Sequence, residues 1–151
     1  MVDLVIKNGT IIDGSGSRRY QGDVALLKGK ISKVGKNLTT SPATPSIDIS
    51  GSIICPGFID THSHSDVSLI TCPDAESSLF QGVTTEVIGN CGFSAYPVVP
   101  ESENLLKTYI KGLGCDDSFS LNWNDLNSYA GALKKNGLGI NVIPLVGHGV
   151  I

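Results

Sequence analysis

Beyond residue 57, the sequence alternates between apolar segments of strand length and segments in which apolar residues recur at helical spacing. This alternation is typical of a parallel β-sheet whose strands are joined by crossover helices. The predicted strands span residues 58–64, 83–88 and 140–146, and the predicted helices lie within 73–81, 105–113 and 124–137. This part of the chain therefore predicts an α/β fold.

Some positions refine these predicted elements. Gly82 can end the first helix in the left-handed conformation, and Asp125 or its neighbour Asn124 can cap the third. Pro144 removes a ladder donor from the last strand, which argues against a central position in the sheet. Glu86 falls in a strand that is buried on both faces, so it needs a partner or marks a solvated strand end. One apolar face is expected on the middle helix, formed by Leu105, Leu106, Tyr109, Ile110 and Leu113.

Residues 3–54 have a different pattern, with short apolar segments separated by turn residues. Asn8-Gly9 and Lys28-Gly29-Lys30 each separate two such segments, and Asn-Gly in particular favours a hairpin turn. The segment therefore predicts a small all-β unit, with a boundary near residue 55.

Two histidines stand at the end of the first strand predicted beyond residue 57. Side chains alternate along a strand, so His62 and His64 are expected to share a face with Asp60. Imidazole is a common metal ligand, and two imidazoles at one strand end indicate a candidate metal site. The pattern is short, however, and surface histidines can match it without binding a metal.

Two further candidates follow the other predicted strands. Cys91 lies between glycines in Gly-Asn-Cys-Gly at 89–92, and His148 lies in Gly-His-Gly at 147–149. In parallel α/β folds, the carboxyl ends of the strands meet at one opening, so these side chains are expected near His62 and His64. The other cysteines, Cys55, Cys72 and Cys115, are interpreted as small core residues, because no Cys-x-x-Cys motif is present.

Charge and hydropathy exclude several classes of partner. The net charge is −3 and there is no basic stripe, which argues against nucleic acid or an anionic membrane surface as the main partner. No segment approaches the roughly 20 apolar residues of a membrane span, and the start of the chain lacks the features of a signal peptide. A cytoplasmic location is the expectation. Three predicted parallel strands cannot close a barrel, so we expect this chain to be the first part of a longer protein.

Four segments together resemble the D-aminoacylases, the N-acyl-D-amino-acid deacylases of the metal-dependent amidohydrolase superfamily. They are residues 4–14, 56–66, 81–94 and 141–149, which together extend over nearly the whole chain. The His-x-His segment is shared across the superfamily, whereas Gly-Asn-Cys-Gly looks specific to the D-aminoacylase branch. The resemblance implies a small β-sandwich, to which residues 1–55 contribute the N-terminal part. It also implies a (β/α)8 TIM-type barrel, of which residues 56–151 form the first three strands.

The resemblance also implies roles for particular residues. His62, His64 and Cys91 would be ligands of zinc, whereas two further histidine ligands and a general-base aspartate would lie beyond residue 151. Asp60 would orient a ligand or serve as a structural hydrogen-bond hub. Asp66 and His148 would line the pocket or support the site.

The implied reaction is hydrolysis of the amide bond of a small N-acyl-D-amino acid by a metal-activated hydroxide. Alternatives are a cyclic amide or imide hydrolase of the dihydroorotase or hydantoinase type, and a metal-free enzyme with Cys91 as nucleophile and His148 as base. The 151-residue chain alone, which lacks the later ligands, is expected to be inactive. The sequence leaves the oligomeric state open.

Overall fold

The computed structural model describes residues 2–39, 41–101, 103–112, 120–135 and 137–151. The chain divides into two compact units, Met1–Pro56 and Gly57–Ile151. None of the described helices is both long and apolar enough to cross a membrane.

The described residues of the first unit form a mixed β-sheet of five strands. These are β1 (Leu4–Ile11), β2 (Tyr20–Leu27), β3 (Lys30–Gly35), β4 (Ser46–Asp48) and β5 (Ile53–Ile54). Strand β2 pairs antiparallel with β1 and β3, whereas β4 and β5 both pair parallel with β1. The prediction of an all-β unit is confirmed for the described residues.

The hairpin predicted at Asn8-Gly9 is wrong, because β1 runs through both residues. Asn8 has a φ of +62°, and the pairing of β1 with β2 shifts register between Ile6 and Gly9. The irregularity is a β-bulge. Within it, the backbone N–H of Asn8 donates to the carboxylate of the buried Asp23 at 2.9 Å. A carboxylate distant in sequence thus stabilises a positive φ at Asn8. The local Asn-Gly sequence alone predicts a turn at this position. The second hairpin is confirmed, since Lys28 and Gly29 connect β2 to β3.

The second unit contains a three-stranded parallel sheet in the order β6-β7-β8. The strands are β6 (Phe58–Asp60), β7 (Val83–Ile88) and β8 (Asn141–Pro144). The helices are α1 (Ser68–Thr71), α2 (Glu76–Leu79), α3 (Glu103–Gly112) and α4 (Leu126–Lys135), and a 3₁₀ turn spans His148–Val150. The alternation of strands and helices is therefore confirmed for the described residues.

Several element boundaries differ from the predicted ones. Strand β6 ends at Asp60 because its carboxylate accepts a hydrogen bond from the His62 backbone N–H at 3.0 Å, which bends the chain. The helix before β7 begins at Glu76 rather than near Pro73, while Gly82 has the expected positive φ of +82°. Within the described sheet, Pro144 lies on an edge strand, which agrees with its missing N–H.

Helices α3 and α4 contribute the core of this unit. Leu106 and Ile110 of α3 and Tyr129 and Leu133 of α4 are buried in one cluster, together with Ile88 of β7. The single apolar face predicted for α3 is only partly correct. Two of its members, Leu105 and Tyr109, are 73% and 44% exposed, and Leu113 lies outside the described residues.

Two aromatic side chains connect the α4 region to the loops that follow β6 and β7. The hydroxyl of Tyr129 donates to the backbone carbonyl of Asp66 at 2.5 Å, and burial raises the pKa of this hydroxyl, which keeps it a donor. The indole N–H of Trp123 donates to the carbonyl of Ala95 at 2.7 Å. These bonds fix the two loops that carry the candidate ligands.

Candidate metal centre

Two loops at the carboxyl ends of β6 and β7 bring three candidate ligands together. His62 and His64 follow β6, and Cys91 follows β7. Their ligand atoms all lie within 4.8 Å of one another, and His62 Nε2 is 3.2 Å from Cys91 Sγ. All three side chains are exposed, so a solute has access to them.

Backbone conformations that favour glycine shape the Cys91 loop. Gly89, Cys91 and Gly92 have φ values of +83°, +57° and +78°. A Cβ atom on Gly89 would lie 2.3 Å from the carbonyl oxygen of Leu145, so the loop also packs too closely on the chain after β8 for any side chain there. The two glycines thus direct the Cys91 sulfur toward His62.

The side chain of Asn90 ties the two ligand loops together. Its Nδ2 donates to the carbonyl of Ser63 at 3.2 Å and to that of Val87 at 2.8 Å. The backbone N–H of Ser63 also donates to Val87, at 3.0 Å. Since Ser63 stands between the two histidines and Asn90 precedes Cys91, these bonds set the distance between the ligands.

Glu86 has the partners that its place in a buried strand requires. The side chain is 3% exposed, and its carboxyl oxygens accept hydrogen bonds from the hydroxyls of Ser63, Ser65 and Ser78. It is therefore not at a solvated strand end. It joins the histidine loop and α2 on one face of β7.

Asp60 and Asp66 flank the histidine segment. The hydrogen bond of Asp60 is to the His62 backbone, which favours the structural hub among its two interpretations. Asp66 is 1% exposed, and its carboxyl oxygens make no hydrogen bond of regular geometry with the described residues. Burial raises the pKa of the Asp66 carboxyl, although nearby backbone N–H groups and the His64 imidazole offset part of this rise.

His148 is not part of the three-residue cluster that the structure describes. It is exposed in the 3₁₀ turn, and the turn contacts the Cys91 loop through Gly149, whose N–H donates to the Gly92 carbonyl at 2.8 Å. The imidazole hydrogen-bonded to Cys91 is that of His62. This geometry does not support His148 as the base for a Cys91 nucleophile.

The prediction that the remaining cysteines are core residues is wrong for two of them. Cys55 and Cys72 are both exposed, and Cys115 lies outside the described residues. Cys72 follows the last residue of the short helix α1. An apolar residue type in a short connecting segment does not by itself lead to burial.

An apolar cavity of about 280 Å³ lies beside Cys91. Helix α3 forms one wall through Leu105, Leu106 and Tyr109, and Phe93, which stacks on Tyr109, forms another. This explains why two apolar residues of α3 are exposed. They face a cavity next to the candidate ligands.

The donor set fits a zinc ion. Zinc is bound in proteins by thiolate sulfur and imidazole nitrogen, usually with tetrahedral geometry. Ligand atoms around such an ion lie roughly 3.5 Å apart, given bond lengths of about 2.0–2.3 Å. The spread of at most 4.8 Å among the three atoms is thus within reach of small side-chain rotations.

Sequence reasoning did not identify the residues that support the ligands. Ser63 and Ser65 alternate with His62 and His64. In an extended segment their side chains therefore lie on the face opposite the histidines, where they can form hydrogen bonds. A glutamate in a buried strand was a signal that such hydroxyl partners exist. The role of Asn90 had no comparable signal, since it depends on the approach of two distant loops.

Comparisons with known proteins identify relatives along nearly the whole chain, although no protein-family model matches it. N-acyl-D-glutamate deacylase from Alcaligenes xylosoxydans xylosoxydans is 38% identical over 147 residues, which are 97% of this chain and 29% of the relative.

Two solved structures have a similar fold over nearly the whole of this chain. One is N-acyl-D-glutamate deacylase from Bordetella bronchiseptica, in complex with zinc and a phosphonate that mimics the tetrahedral intermediate. It is 35% identical with a TM-score of 0.76, and the match covers 97% of this chain and 30% of the deacylase chain. The other is a D-aminoacylase with a binuclear metal centre, which is 34% identical with a TM-score of 0.80. This match covers 98% of this chain and 30% of the D-aminoacylase chain. The chain thus spans about 30% of the length of these proteins. It belongs to the D-aminoacylase family of the amidohydrolase superfamily, and it matches the N-terminal part of these enzymes.

Proposed function

We propose that the protein that contains this chain is a zinc-dependent deacylase that hydrolyses the amide bond of N-acyl-D-amino acids, with His62, His64 and Cys91 as metal ligands. The observation that carries this proposal is the cluster of these three donors at the carboxyl ends of two adjacent parallel strands. The relatives, which are named as deacylases, support the reaction class.

The proposal includes an architecture. Unit Gly57–Ile151 would be the start of a (β/α)8 barrel, and unit Met1–Pro56 would be part of a small β-sandwich. The parallel order β6-β7-β8 with helical connections supports the barrel, since barrel strands follow one another in this way. Ligands at the carboxyl ends of these strands agree with the place of active sites in barrels.

The residues of this chain would contribute binding and orientation. A zinc ion supplies Lewis acidity and lowers the pKa of water to about 7. To bind it, the Cys91 thiol must lose its proton, and both imidazoles must be neutral at the ligating nitrogen. Asp60 holds the bend at His62, and the Gly89 and Gly92 conformations direct the thiolate into the same site.

The apolar cavity beside Cys91 indicates where the substrate would lie. Leu105, Leu106 and Phe93 give it mainly apolar walls, with the phenol of Tyr109 among them. The acyl group of an N-acyl amino acid has the matching apolar character.

Substrate assays on the full-length protein test the proposal. We expect release of the free amino acid from N-acetyl-D-glutamate, N-acetyl-D-aspartate or N-acetyl-D-methionine, with the L-enantiomers cleaved at least about 100-fold more slowly, a difference of about 2.7 kcal/mol in the barrier. A zinc chelator should abolish the reaction, and added zinc should restore it. Ring opening of dihydroorotate or a hydantoin, without cleavage of any N-acyl amino acid, would instead establish a cyclic amide hydrolase. Activity that survives chelation but is lost on thiol alkylation would establish a Cys91 nucleophile.

A further inference from the structure

We propose that the buried carboxyl group of Glu86 is a positioning residue for the metal ligands, acting through the hydroxyls of Ser63 and Ser65. This inference rests on the proposed metal centre, because its effect is on the two histidines that flank Ser63. It assigns a role to the side chain in β7 that is both acidic and almost completely buried.

The contacts of Glu86 are asymmetric in a way that matters for the site. Its Oε2 accepts hydrogen bonds from two residues of the ligand loop, Ser63 at 3.2 Å and Ser65 at a shorter distance. Its Oε1 accepts from Ser78 of α2, which is outside the ligand loop. One oxygen thus contacts the histidine segment, and the other contacts α2.

The ligand loop depends on these bonds for its conformation. Strand β6 ends at Asp60, so the segment from His62 to His64 has no continuous strand pairing. Besides the bonds of Asp60 to the His62 N–H and of Asn90 to the Ser63 carbonyl, its fixed points are the backbone bond of Ser63 to Val87 and the side-chain bonds of Ser63 and Ser65 to Glu86. Each imidazole is one residue from Ser63, so a rotation of this residue moves both ligands. Metal sites tolerate deviations of only about 0.2 Å in ligand distances, and supporting groups are therefore important.

A merely structural role would not favour a carboxyl group at this position. A buried carboxylate loses its hydration, and an apolar side chain would fill the same face of β7 without that cost. What the carboxyl group adds is the ability to accept several hydroxyl hydrogen bonds at once in a fixed direction. Two of those three bonds go to the loop that carries His62 and His64.

Zinc binding by matched serine variants of the full-length protein tests this inference. Ser63→Ala combined with Ser65→Ala removes the bonds to the ligand loop, while Ser78→Ala removes a bond of the same kind to the same carboxyl group. We expect the double variant to bind zinc about 10–100-fold more weakly in competition with a chromophoric chelator. Ser78→Ala should change zinc affinity by less than about 3-fold, as expected for a residue outside the ligands' supporting contacts. In the cobalt-substituted protein, the sulfur-to-cobalt absorption should broaden or weaken only in the double variant.

Glu86→Gln tests the carboxyl group directly, because it replaces one of the two acceptor oxygens with an amide nitrogen. It should also weaken zinc binding, and its effect should not add to that of the serine double variant, because both act through the same contacts. Equal zinc affinities in the double variant and Ser78→Ala, or additive losses, would overturn the positioning role while leaving the metal centre intact. A wild-type protein that binds no zinc would overturn the metal centre and this inference together.

Discussion

Replacing Cys91 with alanine should remove the bound metal and the hydrolytic activity of the full-length protein together. As a proposed ligand, Cys91 would be the anionic donor of the three, and its loss leaves the two imidazoles without the thiol sulfur 3.2 Å from His62. We expect zinc affinity to fall by more than the roughly 10–100-fold that outer-shell residues contribute. We also expect kcat/KM to fall by about a thousandfold or more, as is common when the chemical machinery of a site is removed. Zinc per chain after dialysis and the initial rate on an N-acetyl-D-amino acid measure both effects.

Cys55→Ala and Cys72→Ala are the matched controls. Both thiols are exposed like Cys91 but belong to no cluster of metal-ligating side chains among the described residues. Both variants should keep full zinc content and activity. In the wild type, bound zinc should protect Cys91 from iodoacetamide while Cys55 and Cys72 still react. A Cys91→Ala protein with normal zinc content and normal rates would show that this thiol is not a ligand.

Gly89→Ala should be strongly destabilising, because a new methyl group has no space. Its Cβ would lie 2.3 Å from the carbonyl oxygen of Leu145, and the residue has a φ of +83°. The left-handed conformation costs an alanine about 1–2 kcal/mol, and the clash with backbone adds a cost of about 1–3 kcal/mol. We expect the free energy of unfolding to fall by about 2–5 kcal/mol in urea denaturation.

Gly137→Ala isolates the backbone part of this cost. Gly137 also has a positive φ, +72°, but apart from its chain neighbours no atom of the described residues lies within 4 Å of the position that its new methyl group would take. The loss there should be limited to about 1–2 kcal/mol. Equal losses in the two variants would mean that the Cys91 loop does not pack on the chain after β8 as described.

Local sequence patterns predicted the α/β character of the second unit well. Helical and strand periodicities depend on which face of an element is buried, and Leu106, Ile110, Tyr129 and Leu133 follow that rule. The approach of Cys91 to His62 also followed from a general property of parallel sheets, whose strand ends meet at one edge.

Contact between residues far apart in sequence explains one failure, because the bulge at Asn8 depends on Asp23. Propensities and periodicities contain no information on such a contact, so the sequence could not predict it. The end of β6 has a local cause, since the Asp60 carboxylate accepts from the His62 N–H two residues along the chain. The exposure of Cys72 and Leu105 shows that an apolar residue type does not determine burial, which depends on the elements packed over that residue.

Zinc X-ray absorption spectroscopy of the zinc-loaded, full-length protein tests most directly whether His62, His64 and Cys91 share one metal ion. We expect a sulfur neighbour at about 2.3 Å and nitrogen or oxygen neighbours at about 2.0–2.1 Å. The sulfur signal should disappear in Cys91→Ser and persist in Cys72→Ser. A wild-type spectrum with nitrogen and oxygen neighbours only, at full zinc occupancy, would contradict a metal site shared by these three residues.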